Sequence, residues 1–254
     1  MIGQEKQIIK ILTYNIHKGF STTNSRFVLH QIKEAIEVVH PHVVFLQEIL
    51  GEHVSHEVWI EDWPKKPQFE FLAEECWPHV AYGKNAIYDA GHHGNAILSK
   101  FPIIVWENID VSLQKNASRS LLHGVLKIPA MSVPVHVICI HFGLFKGERR
   151  KQLQTLCDRI ESHVPHNEPL IVAGDFNDWQ SNATHFLETH LELQEAFKHL
   201  TGKHARSFPV WRPALKVDRI YFRGLKVVNC QRFNSLPWRR LSDHAPLYAE
   251  FTSK

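Results

Sequence analysis

Five short segments of the chain place ionisable or amide side chains at the ends of apolar runs, where a rigid base can present them to a common ligand. Asn15 closes the run Ile8–Tyr14, and asparagine there is either a turn former or a polar group offered to a site. Val43–Leu46 delivers Gln47 and Glu48 at its carboxyl end. A lone carboxylate in that place is either a surface charge or a ligand for a hard cation, since magnesium takes one or two protein carboxylates and keeps several waters. His141 directly follows Val135–Ile140 and precedes Phe142-Gly143, so its imidazole is expected at the rim of a sheet. Leu170–Ala173 stops at Gly174 and then offers Asp175, Phe176, Asn177 and Asp178. This is either an Asx turn leading into a helix cap, or a rigid segment on which Asp175 accepts a proton and Asn177 donates a hydrogen bond. Ser242-Asp243-His244 precedes the last apolar run and sets a carboxylate beside an imidazole.

The elements that must hold these groups follow from periodicity. Strand-length apolar runs occur at Ile8–Tyr14, Val43–Leu46, Ala96–Leu98, Leu121–Ile128, Val135–Ile140, Leu170–Ala173, Val217–Phe222 and Leu247–Phe251. Phe27, Ile32, Ala35, Ile36 and Val39 recur at helical spacing, as do Leu153, Leu156, Ile160 and Val164, and a third helix is expected within Ala183–Leu200. Strands are in excess and several succeed one another without a helix between them. The pattern therefore predicts a layered α/β sandwich with mixed sheets rather than one doubly wound parallel sheet.

Bulk properties narrow the class. With 254 residues and 44% hydrophobic content the chain can bury a sizeable core, and it shows no repeat, low-complexity tract or linker, so one domain spanning residues 1–254 is expected. A net charge of +3 does not by itself announce nucleic acid. Cys76, Cys139, Cys157 and Cys230 are widely spaced and read as reduced thiols. No apolar stretch suits a secretory signal or a membrane span, and a cytoplasmic location is the expectation. His92 and His93 do not make a zinc pair, because adjacent residues of a strand point to opposite faces.

Taken together and in order, a strand-end Glu48, the Gly174-Asp175-Phe176-Asn177 turn, His141 and the Ser242-Asp243-His244 loop resemble the endonuclease/exonuclease/phosphatase superfamily. The likeness extends from Asn15 to His244 and includes Gly94–Ile103 and Arg119. Asn15–Phe20 and Gly91–Ala96 look closest to small uncharacterised bacterial hydrolases of that superfamily. The resemblance implies a deoxyribonuclease-I-like fold of two packed, mostly antiparallel mixed sheets flanked by helices. It also implies a magnesium-dependent hydrolase of phosphoester bonds, with manganese a plausible substitute. In that scheme Glu48 binds the metal with Asn15 and Asp243 completing or supporting its shell, Asp175 activates water and Asn177 orients it. His141 and His244 donate to phosphoryl oxygens, Asp218 pairs with His244, and Arg119 sits near the phosphate or braces the loops.

The tyrosine and inserted loops with which the superfamily's apurinic-site nucleases grip duplex DNA are not evident; Tyr88 reads as a loop aromatic. Arg149, Arg150 and Lys151 read as the solvated start of a helix, and Trp211, Trp238, Arg239 and Arg240 flank the last motifs. These last four residues read first as core or rim packing, and otherwise as groups that stack a base or meet a lipid headgroup. A small or lipid phosphoester is the favoured substrate, on the mild charge, modest size and lack of evident DNA-gripping insertions. A nuclease acting on DNA or RNA is the alternative, and a non-catalytic binding module on the same scaffold comes third.

Overall fold

The computed structural model describes residues 7–53, 59–88, 91–113, 119–129 and 131–254, with the backbone alone for His53 and Tyr88. Strands β1 (Ile9–Asn15), β2 (Val43–His53), β3 (His79–Tyr88), β4 (Gly91–Ser99), β5 (Ile103–Asp110) and β6 (Ser120–Leu126) are followed by β7 (Val135–His141), β8 (Leu170–Asp175), β9 (Gln194–Glu195), β10 (Asp218–Arg223), β11 (Leu225–Arg232) and β12 (Leu247–Ser253). Helices α1 (Leu29–Val39), α2 (Gln68–Ala73), α3 (Lys146–His163), α4 (Asn182–Leu191) and α5 (Ala196–Thr201) lie between them.

The strands form two six-stranded sheets, in the orders β11-β12-β1-β2-β4-β3 and β5-β6-β7-β8-β10-β9. Each sheet has one parallel pair at its centre, β1 with β2 and β7 with β8, among antiparallel neighbours. A parallel pair needs a crossover, and α1 and α3 supply them. Because helices cover the outer faces and the sheets cover each other, the central strands are buried on both sides and read as unbroken apolar runs.

Alternate residues divide between two packing layers. Ile9, Ile11, Val43, Phe45 and Ile97 meet Val137, Cys139, Ile171, Ala173 and Ile220 between the sheets. Their neighbours Leu12, Val44, Leu46 and Leu98 pack under Leu29, Ile32 and Ile36 of α1, while Ile138, Ile140 and Val172 pack under Leu156 and Ile160 of α3. Each fully buried side chain of this size contributes about 1.5–3 kcal/mol of transfer free energy.

The architecture is the expected sandwich of mixed sheets flanked by helices, with differences in detail. Strands β3, β5 and β11 lie outside the expected runs; β5 is a largely exposed edge strand although it opens on Ile103-Ile104-Val105-Trp106. The single helix expected in Ala183–Leu200 is two, α4 and α5, separated by Glu192 in the left-handed region (φ 56°) and by β9. The run ending at Leu46 continues to His53 through a bulge, so Glu48 lies within a strand rather than at its end. Tyr88 lies on β3 rather than in a loop, and its side chain is outside the described residues. All four cysteines are free thiols, Cys139 and Cys157 buried. No helix among the described residues is long and apolar enough to cross a membrane.

Candidate active site

The site is the polar end of the stripes that form the inter-sheet core. A strand alternates faces with period 2, so on β1 the stripe Ile9, Ile11, Thr13 ends in Asn15, and on β2 the stripe Val43, Phe45 ends in Gln47. On the other sheet Val137 and Cys139 lead to His141, Ile171 and Ala173 to Asp175, and Phe222 and Ile220 to Asp218. The registers bring these ends level: Asn15 with Gln47, His141 with Asp175, and Asp175 with Asp218. Paired positions share a face, so one edge of the sandwich carries a row of buried amides, carboxylates and imidazoles.

Asp175 is the centre of this row. Its Oδ1 accepts from the backbone N–H of Asn177 (2.9 Å), an Asx turn, and its Oδ2 accepts from Asn15 Nδ2 (3.3 Å). The Nε2 atoms of His141 and His244 lie 3.6 and 3.8 Å from the same Oδ2. Burial first, and then the Asp218 carboxylate, raise the Asp175 carboxyl above its ordinary range. The Asx turn of the first reading is present, and it fixes the buried Asp175 carboxylate beside the other polar groups of the row. Gly174 permits it: its φ is +146°, and a Cβ there would collide with the carbonyl oxygen of Ile140 on the parallel neighbour.

His244 Nδ1 donates to Asp218 Oδ2 at 2.9 Å, and the Phe208 ring packs 4.9 Å from the imidazole, centroid to centroid. Burial alone would lower the pKa of His244, but the carboxylates of Asp218, Asp175 and Asp243 overcome it and raise it to about 10. His141 goes the other way: burial and the Arg119 guanidinium push it down to about 3, which leaves a neutral imidazole. Two histidines near one carboxylate are thus poised in different protonation states. Asp218 is on an interior strand between β8 and β9, not on an edge.

Glu48 occupies the bulge of β2 opposite Asn95, where β2 places both Gln47 and Glu48 between the pairs Leu46–Ala96 and Ile49–Gly94. Its φ of 55° is costly for a residue with a Cβ and aims the side chain out of the ladder. Burial would raise its pKa, yet His141, Lys18, His244 and His17 together hold the carboxyl below its ordinary value. Asp243 Oδ1 accepts from Ser242 Oγ (3.3 Å) and lies 3.9 Å from His17 Nδ1. Asn15 Oδ1 accepts from the His17 N–H (3.1 Å) and keeps a second lone pair. Glu48, Asp243 and Asn15 offer oxygen donors only, and the Oδ1 of Asn95, opposite the bulge, and the Oε1 of Gln47 are buried without hydrogen-bond partners among the described residues. This set fits a hard divalent cation rather than zinc. Among the described residues, Asp175, Asp218 and His244 bring ligand atoms within 4.8 Å of one another, but a protonated His244 has no lone pair to give to a metal.

Arg119 Nε and Asn177 Nδ2 both donate to the Phe142 carbonyl (3.3 and 2.9 Å), so the arginine braces the loop after His141. Arg149, expected on a solvated face, is buried; its guanidinium bonds the Gly143 and Leu144 carbonyls and lies 4.8 Å from the Trp179 ring centroid. Trp238 is buried against Tyr14 and Phe233, whereas Trp211 is exposed. Three supporting groups carried no sequence-based role: Asn95, whose Nδ2 donates to Ser120 O (3.1 Å); Ser242, whose Oγ donates to Asn15 O (2.7 Å); and Ser207, whose Oγ accepts from the Asp218 N–H (3.2 Å).

Residues 12–244 match the sequence model of the Endonuclease/Exonuclease/phosphatase family. The uncharacterized protein YbhP of Escherichia coli strain K12 is 43% identical over 241 residues, covering 95% of this chain and 95% of its own. Among solved structures, an endonuclease/exonuclease/phosphatase from Beutenbergia cavernae superposes with a TM-score of 0.77 over 98% of this chain and 72% of its own, at 18% identity. TDP2 of D. rerio, complexed with a single strand DNA product, reaches 0.71 over 97% of this chain and 100% of its own, also at 18% identity. At such identities these structures speak for the shared fold.

Proposed function

We propose, for a chain that belongs to the endonuclease/exonuclease/phosphatase family, that it is a magnesium-dependent phosphodiesterase or phosphatase acting on a small or lipid phosphoester. Family membership carries the coarser statement, a metal-dependent hydrolase of phosphoester bonds. The observation that supports the finer reading is the convergence of Asn15, His141, His244 and Asn177 on Asp175, with Asp218 behind His244.

In this scheme Asp175 accepts a proton from water as the water oxygen bonds to phosphorus and the ester P–O bond breaks. A carboxyl whose pKa is raised toward neutrality is a better base for that transfer than an ordinary aspartate. Asn177 is held by its Phe142 bond with its N–H on Asp175, which fixes the direction of the carboxylate. The His244 imidazolium, oriented by Asp218, donates to a phosphoryl oxygen, and neutral His141 adds a second hydrogen bond. Glu48, with Asn15 and Asp243, would hold the cation, which supplies neutralisation of charge on the phosphoryl and leaving oxygens. Manganese should substitute, since the donors are all oxygen.

A nuclease is the second reading, favoured by the fold likeness to TDP2 bound to DNA. Hydrolysis of bis-p-nitrophenyl phosphate, p-nitrophenyl phosphate, single-stranded DNA and phospholipids, each with magnesium, manganese or EDTA, separates the two. Glu48→Gln should weaken the metal requirement's apparent affinity; hydrolysis indifferent to EDTA and to this change would exclude the scheme.

A further inference from the structure

Four of the loops that emerge at the active-site edge carry exposed large apolar side chains. β7 and β8 point their carboxyl ends at this edge, and antiparallel β10 and β12 begin there, because Asp218 pairs with Asp175 and Leu247 with Thr13. Leu144 and Phe145 follow β7, Trp179 follows β8, and Trp211 and Leu236 precede β10 and β12. Phe145 is 65% exposed, Leu236 63% and Trp211 57%; exposed apolar side chains occur elsewhere too, but here they sit on separate loops around one opening. Exposed cations alternate with them: Lys146 and Arg150 beside Phe145, and Arg26, Arg239 and Arg240 around the Trp211–Leu236 groove, a cavity of about 1010 Å³.

We infer that this rim is a docking face for an anionic lipid bilayer, which presents the phosphoester headgroup to the site. Apolar side chains on separate loops around one opening, interleaved with lysine and arginine, match the boundary between acyl chains and charged headgroups. Tryptophan and arginine would serve a nucleic acid too, but Leu144 and Leu236 offer no ring for a base to stack on and gain by leaving water for an apolar medium such as acyl chains. The cavity opens beside the chemistry: Thr22 on its wall donates to the Ser242 carbonyl (2.8 Å), one residue from Asp243. The inference deepens the lipid reading above and rests on it for its purpose, but not for its test.

The test measures binding with EDTA present, so that hydrolysis plays no part. The full chain is mixed with phosphatidylcholine vesicles, with vesicles of equal phosphatidylcholine and phosphatidylglycerol, and with single-stranded DNA. The expected result is sedimentation with the anionic vesicles above all. Phe145→Ser with Leu236→Ser should weaken it by about tenfold or more, as should Trp211→Ser with Arg240→Ser. Thermal unfolding and hydrolysis of bis-p-nitrophenyl phosphate by these variants should match the unaltered protein. Absence of vesicle binding, binding that survives both double substitutions, or tighter binding to DNA lost through the same substitutions would each overturn the inference.

Discussion

His123 and His136 lie inside the second sheet and under α3, and they form a chain of one-way hydrogen bonds. Arg159 Nε donates to His123 Nδ1 (3.0 Å), His123 Nε2 meets His136 Nδ1 (2.9 Å), and His136 Nε2 meets Glu168 Oε2 (2.6 Å). With Arg159 donating to one nitrogen, His123 must be neutral to donate with the other. Burial, then the charge of Arg159, depress its pKa to about 3. Because the folded value lies below the unfolded value of 6.5, the penalty is absent above pH 6.5 and grows as pH falls, when the unfolded chain takes a proton that the folded chain refuses. Between about pH 7.5 and about pH 5 this linkage removes roughly 2 kcal/mol of stability. His123→Gln keeps an acceptor for Arg159 and a donor for His136 but does not titrate. Urea unfolding followed by tryptophan fluorescence at the two pH values should show the unaltered protein losing roughly 2 kcal/mol more than the variant. Equal losses would refute the assignment of a neutral His123 held by Arg159.

Other consequences concern the site and its support. Asp218→Asn should lower kcat by about 10²–10⁴ with little change in KM, and its pH–rate profile should lose activity at lower alkaline pH, because His244 then loses the carboxylate that does most to hold its pKa near 10. Phe45→Ala, in the inter-sheet core, should cost about 3–5 kcal/mol by urea unfolding while the folded fraction retains its rate constant. Gly174→Ala should destabilise the chain and depress hydrolysis together, measured by unfolding midpoint and turnover, since Asp175 is carried by the strained backbone.

The central strands were legible because they are buried on both faces and so read as runs such as Leu170–Ala173 and Val43–Leu46. The site residues were legible as polar interruptions at the ends of those runs, and Asn15, Asp175 and His141 all prove to be the last members of core-facing stripes. The same alternation, carried one step beyond Phe45 and one step back from Ile97, picks out Gln47 and Asn95. What hid Asn95 is that it lies at the start of its apolar run rather than at its end. β11 was silent because an edge strand faces water on one side and needs no apolar run, whereas β5 does open on the apolar run Ile103-Ile104-Val105-Trp106, which stays largely exposed at the sheet edge. Glu48 stood out as a carboxylate after an apolar run, but its bulge did not, since nothing in Leu46-Gln47-Glu48-Ile49 distinguishes a strand that ends from one that kinks and continues. Arg149 misled because a basic run normally lies in water; its burial depends on three carbonyl and ring contacts made by a loop and a turn far apart in sequence.

The most direct test of the central claim is steady-state hydrolysis of bis-p-nitrophenyl phosphate by the unaltered protein and by Asp175→Asn, with magnesium and with EDTA. Asparagine keeps the size of the side chain and an oxygen to accept from Asn177, so folding should survive. Metal-dependent turnover that falls by about 10²–10⁴ in the variant is the predicted result. Turnover unchanged by the substitution, with a native unfolding midpoint, would contradict it.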